Sequence, residues 1–511
     1  MSTAKTRISN EIRRFIDFLT IFRRNKRGML GLAIIMTFVV LALAANVLTP
    51  YSPTEITYLP KTAYKLTKPT WYKYFFPNEN ITENIDPIAN PYFETASAVE
   101  KLEFQTTNTN AFRSEFAADK GFPEGSGPGS AAIKLNREAA TAPFGEVNAT
   151  LSKVFNFPHS YPPMQFQGLA AVLVDNPQNA SIAINIILEK VGSGRRIVWS
   201  SENFAIASEG WRTPYPLIDS DNYNTRLWLG KTFGHAWEDD PIKQFFSDSG
   251  DYRFGVDIRL NDTRTEATEI TVYVDDLFLR VFGNSFGLLG TDQFGRDVFT
   301  QLAYGTRVSL IIGLLTAAFT TIIGLAVGLT AGYIGGFADQ VLMRFTDTLL
   351  VIPEVPLLIV LMFVLTPSIW TLILLMTLLG WTGFARISRS QALSLKERPF
   401  VEAAKSVGGG RFHIILRHIL PNVMSLVYVA LATAVPYGII NEAWLAWLGI
   451  FDPNTMTWGR MLNGVETESM GIYMWWWVIP PGLCIAAISL SFILIGYALD
   501  EILNPKLRER R

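Results

Sequence analysis

The sequence predicts an α-helical membrane protein with six transmembrane helices and an inserted β-sandwich on its outer side. Three observations predict it. Uncharged runs of 21 and 27 residues, Gly28–Leu48 and Val308–Ile334, are each long enough to cross a bilayer core. Residues 50 to 285, between the first two such runs, contain no further span. The second half of that stretch switches to period-two alternation, the mark of half-buried strands. Composition agrees: 49% of 511 residues are apolar, too many for an ordinary soluble chain and too few for one immersed throughout.

The first helix follows a basic cluster, Arg23, Arg24, Lys26 and Arg27. A cleaved secretory signal is the competing reading. The apolar run is too long for one, and Asn46-Val47-Leu48-Thr49 is a poor small-residue cleavage site. Residues 1–27 therefore read as a cytoplasmic segment and 28–49 as an uncleaved first helix.

The insert, 50–285, is acidic. Residues 50–290 hold 21 Lys and Arg against 29 Asp and Glu, net −8, and the remainder is net +7. Residues 50–145 read as turn-rich and irregular, with a flexible loop from Gly121 to Gly129. The sandwich is expected at about 150–282. Tyr252, Phe254, Val256, Ile258 and Leu260 alternate with polar residues or glycine, as do Ile270, Val272 and Val274. Ala180–Glu189 adds another β-branched segment. The ending Thr271-Val272-Tyr273-Val274-Asp275-Asp276-Leu277 resembles the last strands of jelly-roll, galactose-binding-like or carbohydrate-binding modules. Three roles stay open for it: a structural sandwich, a docking face for an extracellular binding protein, and direct sugar binding.

The core, 286–511, supplies five more helices. After Val308–Ile334 comes a helix over about Val341–Leu365, interrupted by Asp347 and Glu354, then a turn at Thr366-Pro367-Ser368. The next two run over about Ile369–Ala385 and Leu420–Ile440, and uncharged Ser469–Leu499 holds the last. Eight Lys and Arg precede residue 28, seven lie in 386–420 and four follow Asp500, whereas 441–468 holds only Arg460. By the positive-inside rule both termini and the 386–420 loop face the cytoplasm, and the insert faces the extracellular or periplasmic side.

Several chemistries are excluded or left bare. The basic residues flank spans and form no separate patch, so no nucleic acid is expected. His159, His235, His413 and His418 have no ligand spacing with one another or with Cys484, so no metal is assigned. Gly230-Lys231-Thr232 lacks the earlier P-loop glycine, Thr225 standing in its place. Asn80, Asn148, Asn179 and Asn261 head glycosylation sequons without proline, all on the expected outer side. Intramembrane carboxylates are costly and face a bundle interior or water. Asp347 is expected to pair with Arg344, three residues away on one helix face. Glu354, between Pro353 and Pro356, is the candidate pathway residue that could meet a peptide amino group, and Asn441 and Glu442 are candidate outer-gate residues. Trp475-Trp476-Trp477 reads as an interfacial belt.

The densest signal lies in 386–420. A short helix around Val401–Val407 presents Glu402 and Lys405, while Ala403 and Ala404 allow close approach of a partner. Gly408-Gly409-Gly410 permits a sharp change of direction, and Pro421 suits the first turn of the next helix. Glu402-Ala403-Ala404, with Gly408 and Ile419-Leu420-Pro421, resembles the cytoplasmic coupling loop of ABC import permeases. Leu289 to Val298, Tyr304 to Leu310, Ala331 to Gly336, Trp444 to Gly449 and the ending Asp500 to Arg508 resemble the dipeptide/oligopeptide importer family, closest to its second permease. The resemblance covers about 9–48 and 286–511 and says nothing about the insert, which departs from the family's much shorter connection.

The resemblance implies an ABC importer type I permease core importing peptides. It implies a second permease, favouring a heterodimer, two ATP-binding subunits and an extracellular solute-binding protein. ATP and Mg would be bound by those ATPases, with no cofactor in this chain and no enzymatic activity of its own. Glu402, Ala403, Ala404, Lys405 and Gly408 are implied to couple the ATPase cycle to movement. Oligosaccharides are the alternative cargo and a metal complex the third. A membrane-anchored adhesion or sensor protein and a secondary transporter are the other classes. Neither of those explains the coupling loop.

Overall fold

The computed structural model describes residues 20–55, 61–107, 112–123, 127–138, 145–177, 182–199, 210–213, 217–233, 241–262, 265–468 and 471–503. The chain divides into two compact units, Met1–Glu55 with Arg296–Arg511, and Ile56–Gly295. Helix α1 (Lys26–Leu48) opens the first unit. The Asn25 side chain caps it by accepting the Gly28 N–H at 3.0 Å.

The second unit is built on strands β1 (Glu103–Thr106), β2 (Phe112–Ala117), β3 (Ser130–Arg137), β4 (Gly145–Phe157), β5 (Gln165–Asp175), β6 (Ile182–Lys190), β7 (Arg196–Trp199), β8 (Ile218–Asp219), β9 (Gly250–Asp262) and β10 (Thr268–Phe282). Helix α2 (Tyr223–Phe233) precedes β9. Two five-stranded sheets form, in the orders β1-β4-β9-β6-β7 and β2-β3-β10-β5-β8, with antiparallel neighbours. Inward residues of both sheets meet in one core: Leu151, Ile186 and Ile258 from the first, Ile133, Val172 and Val272 from the second. Alternation along β9 follows the expected register, with Val256, Ile258 and Leu260 fully buried. Gly255 lies where a Cβ would meet the Leu151 carbonyl oxygen at 2.2 Å, so the long β4–β9 ladder needs glycine there.

Strands begin well before residue 150. β1, β2 and β3 lie in the stretch the sequence reads as irregular. Each is eight residues or shorter and set among Gly, Pro and Asn, so alternation never accumulates to a readable run. Gly230-Lys231-Thr232 sits inside α2, a helix rather than a phosphate-cradling loop.

The first unit continues with α3 (Val298–Ile334), α4 (Gly336–Val351), α5 (Glu354–Val364), α6 (Ile369–Gly380), α7 (Thr382–Lys396), α8 (Pro399–Ser406), α9 (Leu420–Trp447), α10 (Trp458–Thr467) and α11 (Trp475–Leu503). Among the described residues α1, α3, α11 and the helical run Arg411–Trp447 are long and apolar enough to cross a membrane. Two bent pairs, α4 with α5 (85°) and α6 with α7 (41°), pass the same test together.

The expected continuous helix over Val341–Leu365 is thus broken. Ile352 and Pro353 are extended, and prolines at 353 and 356 leave the join without two backbone donors. The helix expected to end near Ala385 bends after Gly380 and runs on to Lys396, and α9 passes Ile440 to Trp447. The tryptophan belt is corrected too: Trp476 and Trp477 are buried in the bundle. Consecutive residues on a helix point about 100° apart, so three in a row cannot share an outward face.

Candidate functional site: the coupling loop and a bundle cavity

Helix α8 is a two-turn element with Pro399 in its first turn, where the missing N–H is harmless. It ends by a glycine-dependent reversal. Gly408 adopts φ +85°, and the N–H groups of Val407, Gly408 and Gly409 donate to the carbonyls of Ala403, Lys405 and Ala404 at 3.2, 2.9 and 3.0 Å. One face is anchored: Val401 is fully buried in a cluster with Leu329, Tyr333, Ala392, Ile414, Ile419 and Val423, and Ala404 packs against it. The Lys405 ammonium lies 5.7 Å from the Tyr333 ring centroid.

The opposite face is open. Glu402, Ala403 and Lys405 are exposed. Around them stand apolar side chains that the sequence reading missed: Val407 is 90% exposed and Phe412 73%, with Phe400 and Leu416 beside them in sequence. Their signal was present, since four large apolar residues in a basic loop have no business in water unless something covers them. Ala403 and Ala404 divide the roles assigned to both, with Ala403 facing outward and Ala404 packing inward.

This loop is tied to the bundle through α7. Gly324, Gly328 and Gly332 form one stripe on α3. A Cβ on Gly328 would meet Ser388 Oγ at 1.9 Å, and the Ser388 hydroxyl donates to the Gly324 carbonyl at 3.0 Å. Small residues at four-residue spacing let two helix backbones touch. Two ion pairs join α7 to α4: Arg389 grips Asp339 with two bonds of 2.6 and 2.7 Å, and Arg386 reaches Asp347 at 2.5 Å. The partner of Asp347 is therefore Arg386, not the expected Arg344. Folding back of α4 along α7 offers a better-placed guanidinium than its own helix does.

A cavity of about 380 Å³ opens inside the bundle between α3, α6, α7 and α9. Thr316, Thr320 and Thr321 line one side, and Thr433 and Tyr437 another. The Thr316 hydroxyl is enclosed without a hydrogen-bond partner. Tyr437 links this cavity to the broken span, because its hydroxyl donates to Glu354 Oε2. Glu354 is the first residue of α5, and its Oε1 has no partner. Asn441 follows Tyr437 by one helical turn and is 9% exposed, its side chain beside the Tyr437 hydroxyl. The structure thus brings Glu354 and Asn441 together around Tyr437, a residue the sequence did not single out. Glu442 stands apart, 2% exposed, beside the Thr457 hydroxyl.

Of the sequons, Asn80 is exposed, and Asn148 lies within β4 with its Oδ1 enclosed. Asn261 lies in β9, its side chain outside the described residues, as is all of Asn179. No three His, Cys, Asp or Glu side chains converge among the described residues.

The first unit thus sets broken apolar helices around a hydroxyl-lined cavity and displays a short amphipathic helix on a basic loop. Residues 324–509 match the model of the binding-protein-dependent transport system inner membrane component, and residues 14–69 that of the N-terminal TM domain of oligopeptide transport permease C. The dipeptide transport system permease protein DppC of Bacillus subtilis (strain 168) is 38% identical over 221 residues, 43% of this chain and 68% of that protein. The oligopeptide transport system permease protein OppC of the same organism is 36% identical over 222 residues, 43% of this chain and 72% of that protein. A solved structure of the MetNI methionine ABC transporter aligns at 18% identity and TM-score 0.32, covering 39% of this chain and 96% of that one, too distant to add to the fold. This chain belongs to the dipeptide/oligopeptide ABC transport permease family. It is a multi-pass inner-membrane transport subunit.

Proposed function

We propose that the chain imports di- and oligopeptides as one of two permeases, with six spans, cytoplasmic termini and an outer insert. Two separate ATPases supply the energy and a solute-binding protein delivers cargo. The display of Glu402 and Lys405 on a helix anchored by Val401 carries this reading, because such a helix can be pushed as a lever. ATPase closure moves α8. The shared cluster of Val401, Ile414 and Ile419 passes the displacement to α7 and α9. The cavity between them, bordered by Tyr437 and Glu354, then opens to one side or the other. Glu354 receives a positively charged amino group without needing a second carboxylate, since one enclosed oxygen is already free.

The test is reconstitution with partner subunits in proteoliposomes. Glu402→Lys reverses the charge offered to the ATPase, and Gly408→Val forces a β-branched residue to φ +85° at a cost of about 1–3 kcal/mol. Both are expected to abolish peptide-stimulated ATP hydrolysis while the chain still inserts. Normal transport by either variant removes the coupling assignment. A saccharide-loaded binding protein in the co-purified complex replaces peptide as cargo, and the absence of any ATPase from it ends the importer reading.

A further inference from the structure

A cleft of about 670 Å³ opens at one end of the insert's second sheet, where β5 begins and β8 and β10 end. Tyr64, Tyr161, Met164, Asp221, Arg226 and Lys243 line it. Its volume suits a small organic ligand. The walls are held by bonds that do not involve those side chains. The Ser220 hydroxyl accepts the Phe166 N–H at 2.9 Å and donates to the Phe166 carbonyl at 3.2 Å. Asn284 accepts the Thr82 N–H and donates to the Asn80 carbonyl, both at 2.8 Å. Helix α2, which carries Arg226, is pinned by the Thr225 hydroxyl donating to the Leu217 carbonyl at 2.7 Å. Pro162 and Pro163 stiffen the approach to β5.

Two opposite charges border this one cleft without meeting each other. Five arginines of the insert hold carboxylates: Arg195 with Asp248, Arg196 and Arg259 with Asp257, Arg253 with Glu189, and Arg280 with Asp86. Among the described residues Arg226 holds none, and the Asp221 carboxylate meets no donor. Beside them Tyr161 is 55% exposed and Met164 44%, an aromatic face and a thioether open to whatever enters. A neutral ligand would leave both charges without a counterpart, and a simple anion would meet Arg226 but be repelled by Asp221. A molecule with a carboxylate, an ammonium and an apolar body answers all three features.

We propose that this cleft binds a short zwitterionic peptide, its terminal carboxylate on Arg226, its terminal ammonium on Asp221 and a side chain against Tyr161 and Met164. The choice of a peptide among dipolar ligands rests on the peptide-import reading. The insert is then a peptide-binding domain in its own right, with a site separate from the bundle cavity.

The experiment is calorimetry and hydrogen exchange on the full-length chain in detergent, with no ATPase or binding protein added. The probes are alanyl-phenylalanyl-alanine, its C-terminal amide, its N-acetyl form and maltotriose. Fragments spanning 159–170 and 217–229 should exchange at least about threefold more slowly with the unmodified peptide. Amidation or acetylation should each weaken binding at least about tenfold, since each removes one charge-assisted contact. Arg226→Gln should weaken the unmodified peptide about as much and erase the effect of amidation, and Asp221→Asn should do the same for acetylation. The blocked peptides act on the wild-type chain, so the test stands even if a variant folds poorly. No protection of these fragments at millimolar peptide overturns the proposal. So does equal binding of free and blocked peptides, or protection by maltotriose in place of the peptide. Peptide import by the reconstituted complex without protection here removes this site alone, whereas protection here in a chain that recruits no ATPase removes the import reading alone.

Discussion

Both units bury large apolar side chains, but the closest helix contacts of the first unit are made by small residues, whereas the insert's sheets meet through large ones. In the insert the fully buried side chains are large: Trp199, Phe166, Phe246, Tyr252 and Phe254. In α1 the buried residues are Gly28, Gly31, Ala42 and Ala45, while Leu43 and Val47 stand exposed. The same pattern recurs on α3, whose glycine stripe meets α7, while α5 exposes Phe363 and Val364 but buries Leu358 and Met362. Water drives large apolar groups inward, so the insert is stabilised by the area it hides. Lipid offers no such drive, so the core helices are held by close backbone approach and a few polar ties. One chain therefore obeys two solvents, and substitutions should wound the units in opposite ways.

The sharpest break of that comparison comes from size reduction in the insert. Trp199 is 1% exposed and packs against Phe166 and Trp228 at ring-centroid distances of 6.4 and 5.5 Å. Trp199→Ala should cost the insert about 3–5 kcal/mol. Hydrogen exchange should rise across β4, β6 and β9 and stay unchanged in α3 and α7. The mirror experiment enlarges a residue in the core. Gly328→Leu drives a side chain into Ser388 and the Ala385 carbonyl, a Cβ contact of 2.4 Å even at the latter. A loss of about 1–3 kcal/mol or more is expected, read as detergent-sensitive unfolding of the helices with the insert's exchange intact. If Gly328→Leu were harmless while Leu43→Ala on the exposed face of α1 were damaging, the contrast would be wrong.

Charge sharpens the contrast within the insert. Asp275 and Asp276 have carboxyls raised above their unfolded value by burial. Such groups contribute stability that is fully present below pH ~4 and is lost as pH rises through about 6 to 7. Asp248 is the reverse: Lys190, Ser247 and Arg195 hold its carboxyl far below the usual range, so its contribution is present at neutral pH and lost only in strong acid. The insert's melting temperature should therefore fall between pH ~4 and pH ~8. Asp275→Asn should flatten that slope and Asp248→Asn should not.

Legibility in sequence followed the same division. α1 and α3 were readable because more than twenty uncharged residues leave no other solution. β9 was readable because its alternation holds from Tyr252 to Leu260, and β10 because alternation holds from Ile270 to Val274 and resumes at Leu277 after the bulge. β1 and β2 were not, because their partners lie in β4 and β3, across loops whose closure local pattern cannot encode. The helix expected around Val401–Val407 runs over Pro399–Ser406, its end legible from Gly408-Gly409-Gly410, yet the exposure of its apolar fringe at Val407 and Phe412 is a tertiary property. Glu354 was singled out by cost alone. Its partner Tyr437 is 83 residues away, and nothing in an aromatic residue on an apolar helix announces a hydrogen bond to a distant carboxylate.

The smallest expected effect separates the two ties between α4 and α7. Arg389 and Asp339 form a bidentate pair with side chains 34% and 19% exposed, whereas Arg386 and Asp347 share one contact at 54% and 47%. Exposed single contacts contribute little, since solvent screens them and two long side chains must be held still. Two parallel bonds in a half-covered site lose less to either cause. Asp339→Asn should therefore cost about 1 kcal/mol in helix stability and Asp347→Asn about half that or less. If the proposed coupling holds, stimulated ATP hydrolysis gives a second readout, because both pairs join α7 to α4, the first half of the broken span. A lever needs stiffness at its joints more than stability overall. Asp339→Asn should lower stimulated turnover while leaving basal turnover unchanged, and Asp347→Asn should lower it less. Equal losses from the two variants would mean that the α4–α7 contact as a whole, rather than the bidentate pair, carries the motion.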